Sequence, residues 1–114
     1  MTNYVAPLVV GVGGTLLSNS STERALRHCL ASVERQGGRT KLYCGDDINL
    51  PMHNPREPAR TPGATQLIGA LREADAVVVG SPGYHGGVSG LVKNALDYIE
   101  DMRDDSRVYL DNKP

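Results

Sequence analysis

Hydrophobic positions along the chain alternate between strand-like runs and helically spaced sets. Pro7-Leu-Val-Val-Gly11 is an aliphatic run closed by Gly-Val-Gly-Gly, the profile of a strand covered on both faces that ends in a tight loop. Ala25, Leu26, Cys29, Leu30 and Val33 then recur at helical spacing. Ser20-Ser-Thr-Glu23 ahead of them reads as a capping box, with Ser20 as N-cap and Glu23 at N3, and Gly37-Gly38 predicts the stop. Thr40 to Tyr43 can form a second short strand. Asp46 to Pro62 holds four of the seven prolines and no periodicity, so a surface loop is expected there.

The second half repeats the alternation. Leu67, Ile68, Leu71 and Ala74 predict a helix beginning near Thr65, which leads into Ala76-Val-Val-Val-Gly80, a β-branched run expected to be a strand buried on both faces. A glycine-dense loop spans Ser81 to Ser89. Val88, Leu91, Val92, Ala95, Ile99 and Met102 predict a third amphipathic helix with Ser89 at its N-cap, and the tail from Asp104 to Pro114 is charged and turn-like. The order strand, helix, strand, helix, strand, helix argues for an α/β protein with a doubly wound parallel sheet and right-handed crossovers.

Composition narrows the chemistry. The 114 residues suit one small domain, and 39% hydrophobic residues with 13 glycines are enough to form a core. With 12 Lys+Arg against 13 Asp+Glu the net charge is -1, so no basic field exists to draw nucleic acid or an anionic membrane face. The apolar stretch from Ala6 to Leu17 is broken by glycines and falls short of the ~20 residues that span a bilayer, and no basic segment precedes it. No membrane association and a cytoplasmic location are therefore expected. Cys29 and Cys44 have neither CxxC nor metal spacing and read as small packing residues. Asp46, Asp47, Glu73 and Asp75 read as solvated caps and loop charges, and Lys93 as a surface charge, leaving no candidate metal site or acid/base pair.

Two loops carry candidate chemistry, because ligands of an open α/β sheet bind beyond the carboxyl ends of its strands, where the strand order reverses. The first, Gly13-Gly-Thr-Leu-Leu-Ser-Asn-Ser-Ser-Thr22, places five hydroxyls within eight positions ahead of a helix N-terminus, a suitable setting for a phosphate monoester. It lacks the third glycine of GxGxxG and the lysine of a P-loop. Read alone, it is equally consistent with a helix cap and a turn. In the second loop Pro82 cannot donate, while Gly83, Gly86 and Gly87 allow a flat heteroaromatic edge to approach backbone N–H groups, with Tyr84 and His85 placed to flank it. A flavin's pyrimidine edge meets that description.

The run Gly80-Ser-Pro-Gly-Tyr-His-Gly-Gly-Val-Ser-Gly-Leu-Val-Lys-Asn-Ala-Leu-Asp97 resembles the signature of the NADPH-dependent FMN reductases, which are flavodoxin-like flavoproteins, and the loop from Thr15 to Thr22 resembles their phosphate loop. The resemblance implies a flavodoxin-like α/β fold and FMN as cofactor, with NADPH or NADH as co-substrate. By resemblance, Thr15, Ser20, Ser21 and Thr22 would hold the FMN phosphate, and Ser81, Pro82, Gly83, Tyr84, His85 and Gly86 the isoalloxazine ring. The implied activity passes a hydride from NAD(P)H through FMN to free flavin, a quinone or another small-molecule acceptor. Leu17 stands where many members carry an arginine. The family domain continues beyond a third helix into further strands, so residues 1–114 read as a single FMN-binding domain, C-terminally incomplete, with the sheet expected to be completed by further residues of a longer natural chain, by another chain or by strand exchange between copies, and with a homo-oligomer expected in either case. The alternative reading is an FMN-binding subunit or half-domain without its own reductase activity.

Overall fold

The computed structural model describes residues 4–114. Three strands, β1 (Leu8–Gly13), β2 (Arg39–Cys44) and β3 (Ala76–Gly80), form one parallel sheet in the order β2-β1-β3. Helices α1 (Ser21–Arg35), α2 (Pro62–Glu73) and α3 (Gly90–Asp97) follow the strands in turn. This is the expected doubly wound arrangement. The chain moves to one side of β1 to place β2 and then reverses to place β3, so crossovers of one hand put α1 on one face of the sheet and α2 on the other, where α3 joins it.

The alternation of β1 sets the two layers. Leu8, Val10 and Val12 are buried together with Leu67, Ile68 and Leu71 of α2 and Val92 and Ala95 of α3 in one cluster. The opposite face of β1 is nearly without side chains, and α1 packs there. A Cβ at Gly11 would lie 3.0 Å from Leu30 Cδ1, and one at Gly80 would lie 3.0 Å from Leu26 Cγ. Leu26 and Leu30 thus fill the space that the two glycines leave, and burying each contributes about 1.5–3 kcal/mol.

Several elements differ from the sequence-based expectation. Cys29 is exposed and Cys44 half-buried, because α1 covers the sheet with the narrow Leu26–Leu30 stripe and turns Ala25 and Cys29 to solvent. Ser20 does cap α1, accepting from Glu23 N at 3.1 Å, but the Glu23 carboxylate pairs with Arg27. Helix α2 starts at Pro62 rather than near Thr65, since Thr61 caps it and proline's fixed φ suits the first turn. Val88 lies before α3 and is exposed, while Tyr98, in the 3₁₀ turn Tyr98–Met102 that follows α3, is buried. Strand β3 is not covered on both faces, since Val79 is 45% exposed. Val77 N donates to Pro114 O at 2.8 Å on the edge of β3 that faces away from β1.

The proline-rich segment contains a 3₁₀ turn, Gly45–Ile48, with Ile48 fully buried. The residues after it have no regular structure, yet polar groups of α3 and the turn behind it hold them. Asn94 donates to Leu50 O and Pro51 O and accepts from His53 N, and Tyr98 Oη donates to Pro51 O at 2.7 Å. Arg60 grips both oxygens of Asp101, at 2.6 and 2.9 Å, with its guanidinium 5.5 Å from the Tyr98 ring centroid. These bonds replace the periodic packing that the segment lacks.

Arg60 holds the Asp101 carboxyl below its ordinary value, with a smaller contribution from His53. A carboxyl lowered on folding stabilises the protein fully above its unfolded pKa, and that stabilisation is lost as the pH falls through the lowered folded value. Asp101→Asn should therefore cost about 1–3 kcal/mol at neutral pH, as expected for a charge-assisted pair. The difference in urea unfolding between variant and parent should shrink below about pH 4. A cost unchanged at low pH would mean that the pair is not what anchors the segment.

Candidate functional site

The carboxyl ends of β1 and β3 meet more closely than strands bearing side chains could. Gly14 N donates to Gly80 O at 3.1 Å, and a Cβ on Gly13 would lie 1.8 Å from that same oxygen. Gly13 and Gly14 have φ of 150° and 91°, values that L side chains rarely adopt. The two candidate loops therefore leave the sheet side by side, one from each strand.

In the first loop Thr15 Oγ1 accepts from Leu17 N at 3.0 Å and folds the chain back on itself, with Asn19 in the left-handed region at φ 58°. Ser20 caps α1 through its oxygen, so its O–H stays available as a donor. Ser21 and Thr22 occupy the first two positions of α1, where helix geometry gives their N–H groups no internal partner. Leu16 and Leu17 are exposed.

The second loop closes on itself through Ser81, whose Oγ donates to Pro82 O and accepts from Ser89 N, both at 2.9 Å. A 3₁₀ turn at Tyr84–Gly86 follows, with Gly86 N bonded to Gly83 O and Gly87 N to Tyr84 O. Gly86 N–H is thus committed to the turn. His85 sits at φ 53°, ψ 29°, a left-handed conformation that costs a non-glycine residue about 1–2 kcal/mol. At Gly83 and Gly86 an added Cβ would meet no atom within 4 Å, so internal crowding does not require glycine at either place. Tyr84 is 61% exposed, and His85 and Val88 are exposed beside it.

The structure also places residues that sequence reasoning missed. Cys44, at the end of β2, donates through Sγ to Glu23 Oε1 at 3.5 Å, and burial raises its thiol pKa. The Arg27 guanidinium holds the Glu23 carboxyl below its ordinary value. Glu23 was legible as a cap, but its link to β2 depends on strand order. Among the described residues, no group of three or more His, Cys, Asp and Glu side chains is placed to hold a metal ion, and no helix is long and apolar enough to cross a membrane.

Residues 7–114 match the family described as NADPH-dependent FMN reductase. The chain belongs to that family. It is 27% identical over 105 residues to an iron-sulfur flavoprotein of Methanocaldococcus jannaschii, an alignment covering 83% of this chain and 53% of that protein. An NADPH azoreductase of Bacillus sp. is 41% identical over 79 residues, covering 57% of this chain and 44% of its own. A short stretch of 28 residues is 64% identical to the FMN-dependent NADPH-azoreductase of Staphylococcus saprophyticus, covering 25% of this chain and 15% of that one. A solved apo form of an NADH:FMN oxidoreductase superposes with a TM-score of 0.63 at 24% identity, covering 82% of this chain and 50% of that chain, and shares the fold. At its longest match, the reductase-family chain spans about half the length of the curated relative.

The junction of the two loops is the most demanding position in the sheet. Gly13→Ala should destabilise the protein by more than about 3 kcal/mol, since the new methyl group meets the Gly80 backbone and the φ is unfavourable. Gly86→Ala, at φ 79° but in open space, should cost only about 1 kcal/mol. Equal costs in urea unfolding would contradict the close approach.

Proposed function

We propose that this chain binds FMN across the two loops and serves as the flavin domain of an NAD(P)H-dependent reductase. The observation that carries the reading is the Gly14–Gly80 contact. It sets a hydroxyl-rich helix start beside a glycine loop at the reversal of strand order, in a chain of this family.

The donors match the group they would hold. Ser20 Oγ–H and the N–H groups of Ser21 and Thr22 surround the positive end of α1, which favours a phosphate monoester. Thr15 would shape that loop for the phosphate, its hydroxyl bonded to the Leu17 backbone. Across the junction, Gly83, Tyr84 and His85 would present backbone N–H groups to the ring, with Pro82 half-buried at the base of the loop and Gly86 supplying the turn's φ. Ser81 fixes the loop's two ends, a positioning role. Gly83, needed neither for φ nor for internal packing, leaves room for a flat ring to approach the backbone.

Bound FMN would supply the redox chemistry, accepting a hydride from NADPH or NADH and returning electrons to an acceptor. The protein's part is to bind and orient, and it needs no side-chain nucleophile. The acceptor in this reading is a small molecule: free flavin, a quinone or, as the names of two relatives suggest, an azo compound. Dependence on NAD(P)H suits a cytoplasmic location. The exposed Leu16, Leu17, Tyr84 and Val88 around the loops support covering of this end by ligand and by a second copy of the chain.

Replacing Ser20 and Thr22 together by Ala should weaken FMN at least about tenfold more than riboflavin, which has no phosphate, as followed by flavin fluorescence. Equal losses would overturn the phosphate assignment. With NADPH and a quinone, double-reciprocal plots of initial rates should be parallel lines, because one crevice would serve both partners in turn. A yellow protein that oxidises neither NADPH nor NADH with any acceptor would replace this reading with that of a flavin-binding domain lacking reductase activity.

A further inference from the structure

A cation is out of place in the first turn of a helix, where the aligned peptide dipoles present positive charge, unless an anion lies there too. Arg24 holds such a position as the fourth residue of α1, its N–H donating to Ser20 O at 2.9 Å, and it is exposed. Among the described residues, only Arg24, Arg35 and Arg56 of the lysines and arginines have neither a carboxylate partner nor a hydrogen bond from the side chain. Arg35 ends α1, about 16 Å further along its axis at 1.5 Å per residue, and Arg56 belongs to the proline-rich segment. The uncommitted cation at the start of α1 is therefore Arg24. A helical side chain leans toward the N-terminus and covers the turn ahead of its own Cα, so Arg24 reaches over Ser20 and Ser21 on the side of α1 opposite Leu26. Its neighbour Arg27 is bound to Glu23, and the loop from Thr15 to Thr22 has no cation of its own.

We propose that Arg24 closes over the FMN phosphate from the outer side of α1 and is the positive side chain of that site. The inference rests on the phosphate placement proposed above and adds a residue to it. The Ser20 hydroxyl and the N–H groups of Ser21 and Thr22 would meet the phosphate from the helix end, leaving outward oxygens that a guanidinium takes through parallel N–H bonds. In the free protein Arg24 opposes the helix dipole and finds no carboxylate, since Glu23 is held by Arg27 and Cys44. A bound phosphate removes that conflict. The charge at position 24 therefore disfavours the free protein slightly and favours the complex.

The test titrates FMN and riboflavin by fluorescence into the unaltered protein, Arg24→Gln, Arg24→Lys and Arg35→Gln at low and physiological salt. Arg24→Gln should weaken FMN about tenfold, leave riboflavin unchanged and flatten the salt dependence of FMN binding. Arg24→Lys keeps the charge without the planar fork and should fall between Arg24→Gln and the unaltered protein. Arg35→Gln removes an equal charge more than a Debye length of ~8–10 Å from the phosphate and should change neither ligand by more than about twofold. Without ligand, Arg24→Gln should unfold in urea at the same or a slightly higher concentration than the unaltered protein, because a misplaced charge is gone. A less stable Arg24→Gln, an equal loss of riboflavin, or an equal loss of FMN in Arg35→Gln would overturn the inference. FMN affinity unchanged in Arg24→Gln, while the unaltered protein still prefers FMN to riboflavin, would overturn this inference alone. No preference for FMN over riboflavin in the unaltered protein would overturn the phosphate placement and this inference with it.

Discussion

The backbone contact between Gly14 and Gly80 is the constraint on which the rest of the arrangement depends. Any side chain at Gly13 would push β1 and β3 apart at their carboxyl ends. Without that approach the two loops would diverge, and donors from α1 and from the glycine loop could not converge on one ligand. The same economy of side chains recurs one layer away, where Gly11 and Gly80 admit Leu30 and Leu26 and seat α1 against the sheet. The direction in which α1 points its N-terminus is thus fixed by close packing, the condition under which a helix end can serve as an oriented anion site.

Polar bonds do the corresponding work where hydrophobic periodicity is absent. The segment between Ile48 and Thr61 buries few side chains of its own, and Asn94, Tyr98 and Asp101 hold it through its backbone and through Arg60. Asp75 acts in the same way at the opposite end of the sheet, accepting from Leu8 N at 2.8 Å while its own N–H donates to Leu8 O. Among these residues, Asp75 reads as a solvated charge along the chain. In the folded protein they fix where β1 begins and where the proline-rich segment lies.

The loops share a division between residues that shape and residues that remain free. Thr15 and Ser81 commit their hydroxyls to the backbone, whereas Ser20, Ser21 and Thr22 keep donors at the start of α1. In the resemblance Thr15 stands with Ser20, Ser21 and Thr22 at the phosphate, and Ser81 stands with the ring-holding residues. The geometry separates them, because a hydroxyl two residues from a free backbone N–H, or one residue from a proline carbonyl, finds a local partner first.

The sequence by itself determined the elements with strong periodicity or chemistry: the Val-rich β3, the Ser20 and Ser89 caps, and the glycine loop whose long motif carried the family. The observed order β2-β1-β3 is that of the flavodoxin-like fold implied by the resemblance. Tertiary structure alone decided that Cys29 faces solvent while Tyr98 and Ile48 are buried, that Pro62 opens α2, and that Glu23 pairs with Arg27 and meets Cys44 from another strand. The physical reason is range. Periodicity, caps and turns arise from neighbours within a few residues, whereas burial and ion pairing depend on which distant residues the packed layers bring together.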